Sequence, residues 1–299
     1  MEKKSTSGIM IVDRATGELQ AETVFGDGTL RFVYETLLGR TFWGLLFNTS
    51  CLSGLLGSFY DSSLSKKSIR KLAMTPGCDL SEASLPVEEY KNFNAFFTRH
   101  LKDGARPFDF APDKISSPAD GRLFVYEALK PCNPIPVKGA KRTLNELCCR
   151  ELPEGPLSVA VVRLAPVDYH RYHFPCSCDQ AEPPHVFRGK YHSVNPVALV
   201  RRPDLYVENT RQITMLESDL FGVFHYIEVG AFGVGSIVQT SSPGYHAKMA
   251  EKGLFKFGGS TVILIFDGNR VKWDSDLLEN TRAGHETRIL CGETIGSRR

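Results

Sequence analysis

The chain has 299 residues, 42% of them apolar, enough to bury a sizeable core in one or two domains. Its 36 basic and 34 acidic residues leave a formal charge of +2, which excludes the concentrated basic face of a typical nucleic-acid binder. Eight cysteines occur without an N-terminal apolar run long enough for a secretion signal, so they are expected to be reduced and intracellular. Neither Cys176-Ser177-Cys178 nor Cys148-Cys149 has the paired CxxC spacing of a zinc site, and no metal is expected.

Up to about Thr29 the chain is polar and Gly-rich, the pattern of a short strand or a loose lead-in. From Leu30 to Tyr60 apolar residues recur at three- and four-residue steps, which is helical periodicity. Thr41 to Tyr60 carries no charge, and Lys66, Lys67, Arg70 and Lys71 follow. The window has the ~20 residues that a bilayer span needs. However, Asn48, Thr49, Ser50, Ser53 and Ser58 dilute it, and Gly54 and Gly57 weaken the helix. An amphipathic element lying in an anionic membrane surface and held by the basic cluster fits better than a span or a buried helical hairpin. The expected location is therefore the cell membrane, peripheral, on the cytoplasmic side.

Pro76-Gly77 ends this pattern. Pro86 and Glu88-Glu89 then open a helix with Val87, Tyr90, Phe93, Phe96 and Phe97 as its apolar face, ending near Leu101. After Pro107 the pattern is β. Leu123–Tyr126, Ser158–Leu164, Gln212–Met215, Val223–Val229, Ser236–Thr240 and Val262–Phe266 alternate with Gly, Pro and Asp breaks, with no long helical pattern between them. Residues 128–156, rich in Pro and Cys, read as a surface excursion. The fold class expected is α+β: an all-β, sandwich- or barrel-like catalytic core over residues 105–299, with a helical, membrane-associated region over residues 1–104.

Three places in the β region could carry chemistry. In Leu254–Phe266 a strand runs into Gly258-Gly259, then Ser260-Thr261, then an apolar run, Val262–Phe266, that should be buried on both faces. Gly-Gly between apolar runs is an ordinary hairpin turn. It would equally let Ser260 Oγ attack the carbonyl of Gly259. Asp120 lies in the turn Ser116–Arg122, and His170 and His173 lie in a loop bounded by Pro166 and Pro175. The two histidines have no third metal ligand nearby and no HExxH pattern.

Together the three places offer a nucleophile, a base and an orienting carboxylate. Ser260 could attack an external ester as a membrane serine hydrolase with His173 and Asp120, although the G-x-S-x-G elbow is absent. It could instead attack its own chain, giving an ester, then dehydroalanine, then a pyruvoyl group and ammonia. An uncleaved lipid-binding protein with an inert triad is a third reading. Spacing alone does not choose.

The chain resembles the pyruvoyl-dependent phosphatidylserine decarboxylases. The resemblance runs from about Tyr90 to the C-terminus, through Tyr90–Arg99, Ser117–Gly121, Asp168–His173, Val194-Asn195-Pro196, Val229–Ile237 and Phe257–Thr261. Many members carry Leu where Gly258 stands and Glu where Thr210 stands. The resemblance implies cleavage between Gly259 and Ser260 into a β chain, residues 1–259, and an α chain beginning at residue 260. It implies a triad of Asp120, His173 and Ser260, with His173 as base, and gives His170 a separate part in decarboxylation. The implied cofactor is a covalent pyruvoyl group made from Ser260, on which phosphatidylserine forms a Schiff base and loses carbon dioxide to give phosphatidylethanolamine. The implied partners are the lipid substrate, the membrane surface and the two chains of one precursor. A homodimer is compatible with it.

Overall fold

The computed structural model describes residues 9–22, 50–192, 196–230, 237–258 and 260–299. Most of the predicted helical stretch after Leu30 lies outside these residues, and its last part is helix α1 (Ser50–Asp61). Before it, β1 (Met10–Asp13) and β2 (Leu19–Ala21) pair as a hairpin. After it come α2 (Lys66–Ala73) and α3 (Phe93–Phe97). The next segment holds β3 (Lys114–Ser116), β4 (Gly121–Leu129), α4 (Leu144–Cys148), β5 (Leu157–Leu164), β6 (Arg171–His173), β7 (Cys178–Gln180) and β8 (His185–Phe187). Then follow α5 (Pro196–Arg201), α6 (Leu205–Glu208), β9 (Arg211–Ser218), β10 (Gly222–Gly230), β11 (Ile237–Gln239), β12 (Gly244–His246) and β13 (Glu251–Phe255). The C-terminal part is β14 (Ser260–Asp267), β15 (Val271–Trp273), α7 (Ser275–Arg282), β16 (Glu286–Ile289) and β17 (Thr294–Arg298).

The strands form an eleven-stranded sheet in the order β12-β7-β9-β10-β14-β5-β4-β16-β1-β2, with β8 also on β9, and two three-stranded sheets, β11-β13-β6 and β15-β17-β3. Among the described residues the large sheet keeps two edges, β12 and β2, and does not close into a barrel. The fold is α+β with a sheet-rich core. The N-terminal hairpin joins that sheet through β1 on β16, so residues 10–21 pack with the β-rich region.

Strand β14 is flanked by β10 on one edge and β5 on the other. Its side chains alternate between two cores. Val262, Leu264 and Phe266 pack with Phe224 and Trp273, while Ile263 and Ile265 pack with Val159, Val161 and Ile227. The apolar run is therefore buried on both faces, as its composition requires. The Gly-Gly break before it is no hairpin turn. Strand β13 belongs to the small sheet and β14 to the large one, so residues 256–259 carry the chain between sheets.

Two expectations change. The helix expected from Pro86 to Leu101 is broken: a single 3-10 turn, Val87–Glu89, precedes an extended Asn92. The Asn92 side chain accepts the Ala95 N–H at 2.8 Å and donates to the Asp61 carbonyl at 2.7 Å, which starts a new, shorter helix at Phe93. Its apolar face still packs, since Tyr90, Phe93, Phe96 and Phe97 are buried. Short helices α5 to α7 also interrupt the β region. Of α7 only Leu277 is buried, too little apolar surface to leave a periodic signal.

A third core joins α2 and α3 to the segment that follows β5 through Ile69, Leu72, Phe93, Phe96, Phe97, Ala165 and Val167. No described helix is long and apolar enough to cross a membrane. Ile263→Ala should cost about 2–5 kcal/mol, because the residue is buried on both sides by paired strands that cannot collapse into the gap. Urea unfolding in a Ser260→Ala background, which keeps one chain in both proteins, measures it.

Candidate active site

Ser260 opens β14 in register with Gly230 of β10 and Leu164 of β5. Arg163, beside Leu164, faces Arg122 of β4. Asp120, just ahead of β4, and Ser260 therefore sit at one end of the sheet with only β5 between their strands. Two strand spacings put their backbones roughly 10 Å apart. A Cβ on Gly121 would come within 2.7 Å of the Arg163 carbonyl oxygen, so only glycine lets the Asp120 turn lie this close to β5. The Ser260 hydroxyl is fully buried and has no hydrogen-bond partner among the described residues. Leaving such a hydroxyl unpaired costs about 1–3 kcal/mol.

The Asp120 carboxylate accepts from Arg106 Nε at 2.8 Å, from Arg106 Nη2 at 2.6 Å and from the Cys291 N–H at 2.8 Å. Arg106 also meets Glu82 at 2.9 Å. The Pro118 carbonyl accepts the His173 N–H at 2.8 Å, which ties the Asp120 turn to β6. The His173 ring is oriented elsewhere. Its Nδ1 lies 3.0 Å from the Met249 carbonyl oxygen, which can only accept, so Nδ1 carries the proton. Nε2 then accepts the Tyr169 O–H at 3.3 Å. Met249 has φ 65°, left-handed backbone that a long side chain seldom adopts, and this conformation accompanies the carbonyl's contact with the ring. Burial pushes the His173 pKa down, against the upward pull of the Met249 bond and of the Glu251 and Asp120 charges. Asp120 thus acts on His173 through space, not through a hydrogen bond.

His170 repeats the pattern in a drier place. Nδ1 donates to the Asp168 carbonyl at 2.9 Å, and Nε2, buried, has no partner among the described residues. The ring lies 3.8 Å, centroid to centroid, from Phe97. Phe97 in turn meets Phe257 at 5.2 Å, three residues before Ser260. Burial lowers the His170 pKa to about 3, despite the nearby Asp168 charge, so the ring is neutral with its lone pair on Nε2. The Asp168 side chain is fixed by Arg122 and by the Ala165 N–H at 2.6 Å. The segment bearing both histidines leaves β5 at Leu164, opposite Ser260; His170 precedes β6, but His173 is the last residue of that strand, paired with Glu251 of β13, and not in a loop as expected.

The structure therefore brings Asp120, His173, His170 and Ser260 to one end of the sheet, with no direct bond among their side chains. Gly259 lies outside the described residues. Sequence reasoning missed Arg106, Tyr169 and the Met249 carbonyl. Tyr169 stood inside the histidine segment and could have been marked by its neighbours. The other two come from distant parts of the chain and carry no local signal.

Several known proteins are similar to this chain. The sequence model for the family described as phosphatidylserine decarboxylase matches residues 93–297. A protein of Ruminiclostridium cellulolyticum named phosphatidylserine decarboxylase proenzyme is 43% identical over 295 residues, covering 97% of each chain. Proteins of the same name from Fusobacterium nucleatum and Chlamydia muridarum are 38% and 39% identical over 295 residues, again covering 97% of both chains.

The buried His170 makes stability depend on pH. A histidine whose pKa is lowered by folding favours the folded state above its ordinary value near 6.5 and loses that contribution as pH falls toward 3. Between about pH 6 and pH 4 the unfolding free energy of the wild type should fall more steeply than that of His170→Asn, by about 1.4 kcal/mol per pH unit. Parallel urea titrations across that range measure the difference.

Proposed function

The chain belongs to the phosphatidylserine decarboxylase family, and from that membership we propose a proenzyme that cleaves itself between Gly259 and Ser260 and then converts phosphatidylserine to phosphatidylethanolamine and carbon dioxide. The observation that carries the reading is the buried, unpaired Ser260 hydroxyl at the head of a strand fixed on both edges. In self-cleavage Ser260 Oγ adds to the Gly259 carbonyl carbon, and the peptide C–N bond breaks as the ester forms. The α-hydrogen of residue 260 and the glycyl carboxylate then leave from neighbouring carbons. Addition of water to the resulting dehydroalanine, with loss of ammonia, leaves a pyruvoyl group on the α chain.

His173 receives the serine proton on Nε2, once the long bond from Tyr169 is released. The Met249 carbonyl holds the ring's other nitrogen, and the Asp120 charge stabilises the imidazolium. Pairing of β14 with β10 and β5 keeps the α chain in the fold after the backbone is cut.

The site fits a pyruvoyl group: its precursor hydroxyl is fully buried and has no other bond to break. When formed, the group supplies an electron sink for the bond that loses carbon dioxide. The protein's part is to orient the lipid headgroup, exclude water and handle one proton. A dry site disfavours the substrate carboxylate and favours its loss. His170 Nε2 is the proton carrier. An incoming carboxylate raises its low pKa, and the proton it then holds goes to the substrate carbon.

The N-terminal helices seat the enzyme on an anionic membrane surface, peripherally and on the cytoplasmic side. In α2, Ile69 and Leu72 face the core while Lys66, Lys67, Arg70 and Lys71 are exposed. Leu64 and Met74, flanking α2, are 75% and 84% exposed. Each cation near such a surface contributes ~1 kcal/mol. Replacing all four by Gln should lower binding to vesicles containing phosphatidylserine or phosphatidylglycerol by at least tenfold and leave binding to neutral vesicles unchanged; equal binding to both by the wild type would remove the electrostatic part.

Ser260→Ala should remain one full-length chain with no decarboxylase activity. His173→Ala and Asp120→Asn should slow cleavage, while His170→Ala should cleave normally yet decarboxylate ~10²–10⁴-fold more slowly. A denaturing gel beside a carbon dioxide release assay on the same preparations reads both steps. Two fragments from Ser260→Ala would contradict the self-cleavage mechanism.

A further inference from the structure

A buried group of charges adjoins the histidine segment. On adjacent strands, Arg122 of β4 stands directly across from Arg163 of β5. Both are buried, and a guanidinium does not give up its charge. Two such cations facing each other out of water need carboxylates beside them. Each has one of its own. Arg163 Nε donates to Glu286 at 2.9 Å, and Arg122 pairs with Asp168. A third carboxylate joins the two. Glu22 Oε1 lies 2.7 Å from Arg122 Nε, and Glu22 Oε2 accepts from Arg163 Nη2 at 2.8 Å. Glu22 is itself buried.

This carboxylate comes from the N-terminal hairpin. The Glu22 N–H donates to the Ile9 carbonyl at 2.9 Å, which places the residue at the open end of β1 and β2. The hairpin is docked by β1 on β16 and by Arg14, which meets Asp274 and Asp276, each at 2.8 Å. A segment whose composition reads as a loose lead-in thus delivers a carboxylate to the interior.

From Glu22 the path to His170 is short. Glu22 at Nε and Asp168 at Nη1 grip the Arg122 guanidinium on two sides. Burial pushes the Asp168 carboxyl up, but Arg122 outweighs it and holds the group below its ordinary range, so the pair stays ionised. Arg122 and the Ala165 N–H fix the Asp168 side chain, and the Asp168 carbonyl accepts from His170 Nδ1 at 2.9 Å. That bond sets the tautomer of the ring.

We propose that Glu22 is a positioning residue for decarboxylation. By holding Arg122 against Asp168 it fixes the carbonyl that orients His170, which makes the N-terminal hairpin part of the active site. The effect on turnover rests on the decarboxylase reading; the effect on the His170 ring does not.

The test compares the wild type with Glu22→Gln, Glu22→Asp and Glu286→Gln, each checked by gel for complete cleavage and by thermal unfolding. Glu22→Gln keeps the shape and loses the charge. With a short-chain, water-soluble phosphatidylserine its kcat should fall about 10- to 100-fold, the cost of a small misplacement, while KM stays within about twofold. Glu22→Asp keeps the charge but is one methylene too short to reach both guanidiniums. It keeps the test open if Glu22→Gln fails to fold, and its kcat should fall less. Glu286→Gln takes a carboxylate from Arg163 and none from Arg122. It should lower Tm comparably and leave kcat at the wild-type level. Nitrogen NMR of the imidazoles in uncleaved Ser260→Ala reads the ring without turnover. His170, assigned by its loss in His170→Asn, should carry its proton on Nδ1 alone, and adding Glu22→Gln should give a mixture of tautomers. If Glu22→Gln disturbs the tautomer but the wild type releases no carbon dioxide, the decarboxylase reading fails and the positioning of His170 stands. Equal losses of kcat in Glu22→Gln and Glu286→Gln show a structural cluster only and overturn the proposal. With an active wild type, an unchanged kcat or an unchanged tautomer in both Glu22 variants overturns it as well.

Discussion

The constraint on which the site depends is the fourfold confinement of β14. Its edges are hydrogen-bonded to β5 and β10 and its faces are packed into two separate cores. A backbone held this way cannot relax when a bond at its head is broken. Lys256 to Gly258, by contrast, belong to neither sheet. Self-cleavage needs this contrast. The serine must be rigid enough to present its hydroxyl, and the peptide before it must be free to distort. Under the proposed cleavage, the same confinement keeps the C-terminal fragment in the fold, because that fragment brings a central strand of the large sheet with it.

The two imidazoles show how one local pattern meets two environments. Each donates Nδ1–H to a backbone carbonyl, which fixes the tautomer and leaves the lone pair on Nε2. Their surroundings then differ. His173 lies within reach of the Tyr169 hydroxyl and of the Asp120 and Glu251 charges, a polar setting that tolerates transient protonation. His170 is stacked on Phe97 with nothing on Nε2, a setting in which protonation waits for an anion. Asp120 is not the direct orienting partner that a serine-hydrolase triad has. Arg106 and the Cys291 N–H occupy its oxygens, so its effect on His173 is long-range.

The chemistry was legible in the sequence where residue type and neighbourhood coincided. Val262–Phe266 announced a strand buried on both sides, and Ser260 beside it could be picked out before any contact was known. Asp120 and His170 were legible as polar residues of short loops between apolar runs, whereas His173, read as loop, ends strand β6. The partners that tune them were not. Arg106 reaches Asp120 across 14 residues, and Met249 reaches His173 across 76, so no local pattern connects either pair. The sheet assignment was hidden for a similar reason. A Gly-Gly break between two apolar runs looks the same whether the runs pair with each other or part into different sheets, and only long-range pairing decides. The break at Asn92 was obscured because the apolar spacing of Tyr90, Phe93 and Phe96 continues across it, while the competing bonds of the Asn92 side chain lie 31 residues away at Asp61.

Helix α3 joins the region proposed to meet the membrane to the reacting residues. On one side Phe93 and Phe97 pack against Phe257, with Tyr60 of α1 also on Phe257 at 4.7 Å. On the other, Asn94 holds both the Phe257 N–H and, through Nδ2, the Asp61 carboxylate at 3.0 Å. A five-residue helix thus bonds to the end of α1, to the link before Ser260 and, by its Phe97 ring, to His170. Displacing α1 and α2 would therefore disturb Phe257 and the dry surroundings of His170 together. The contacts that enclose His170 are thus the same ones that seat the N-terminal helices.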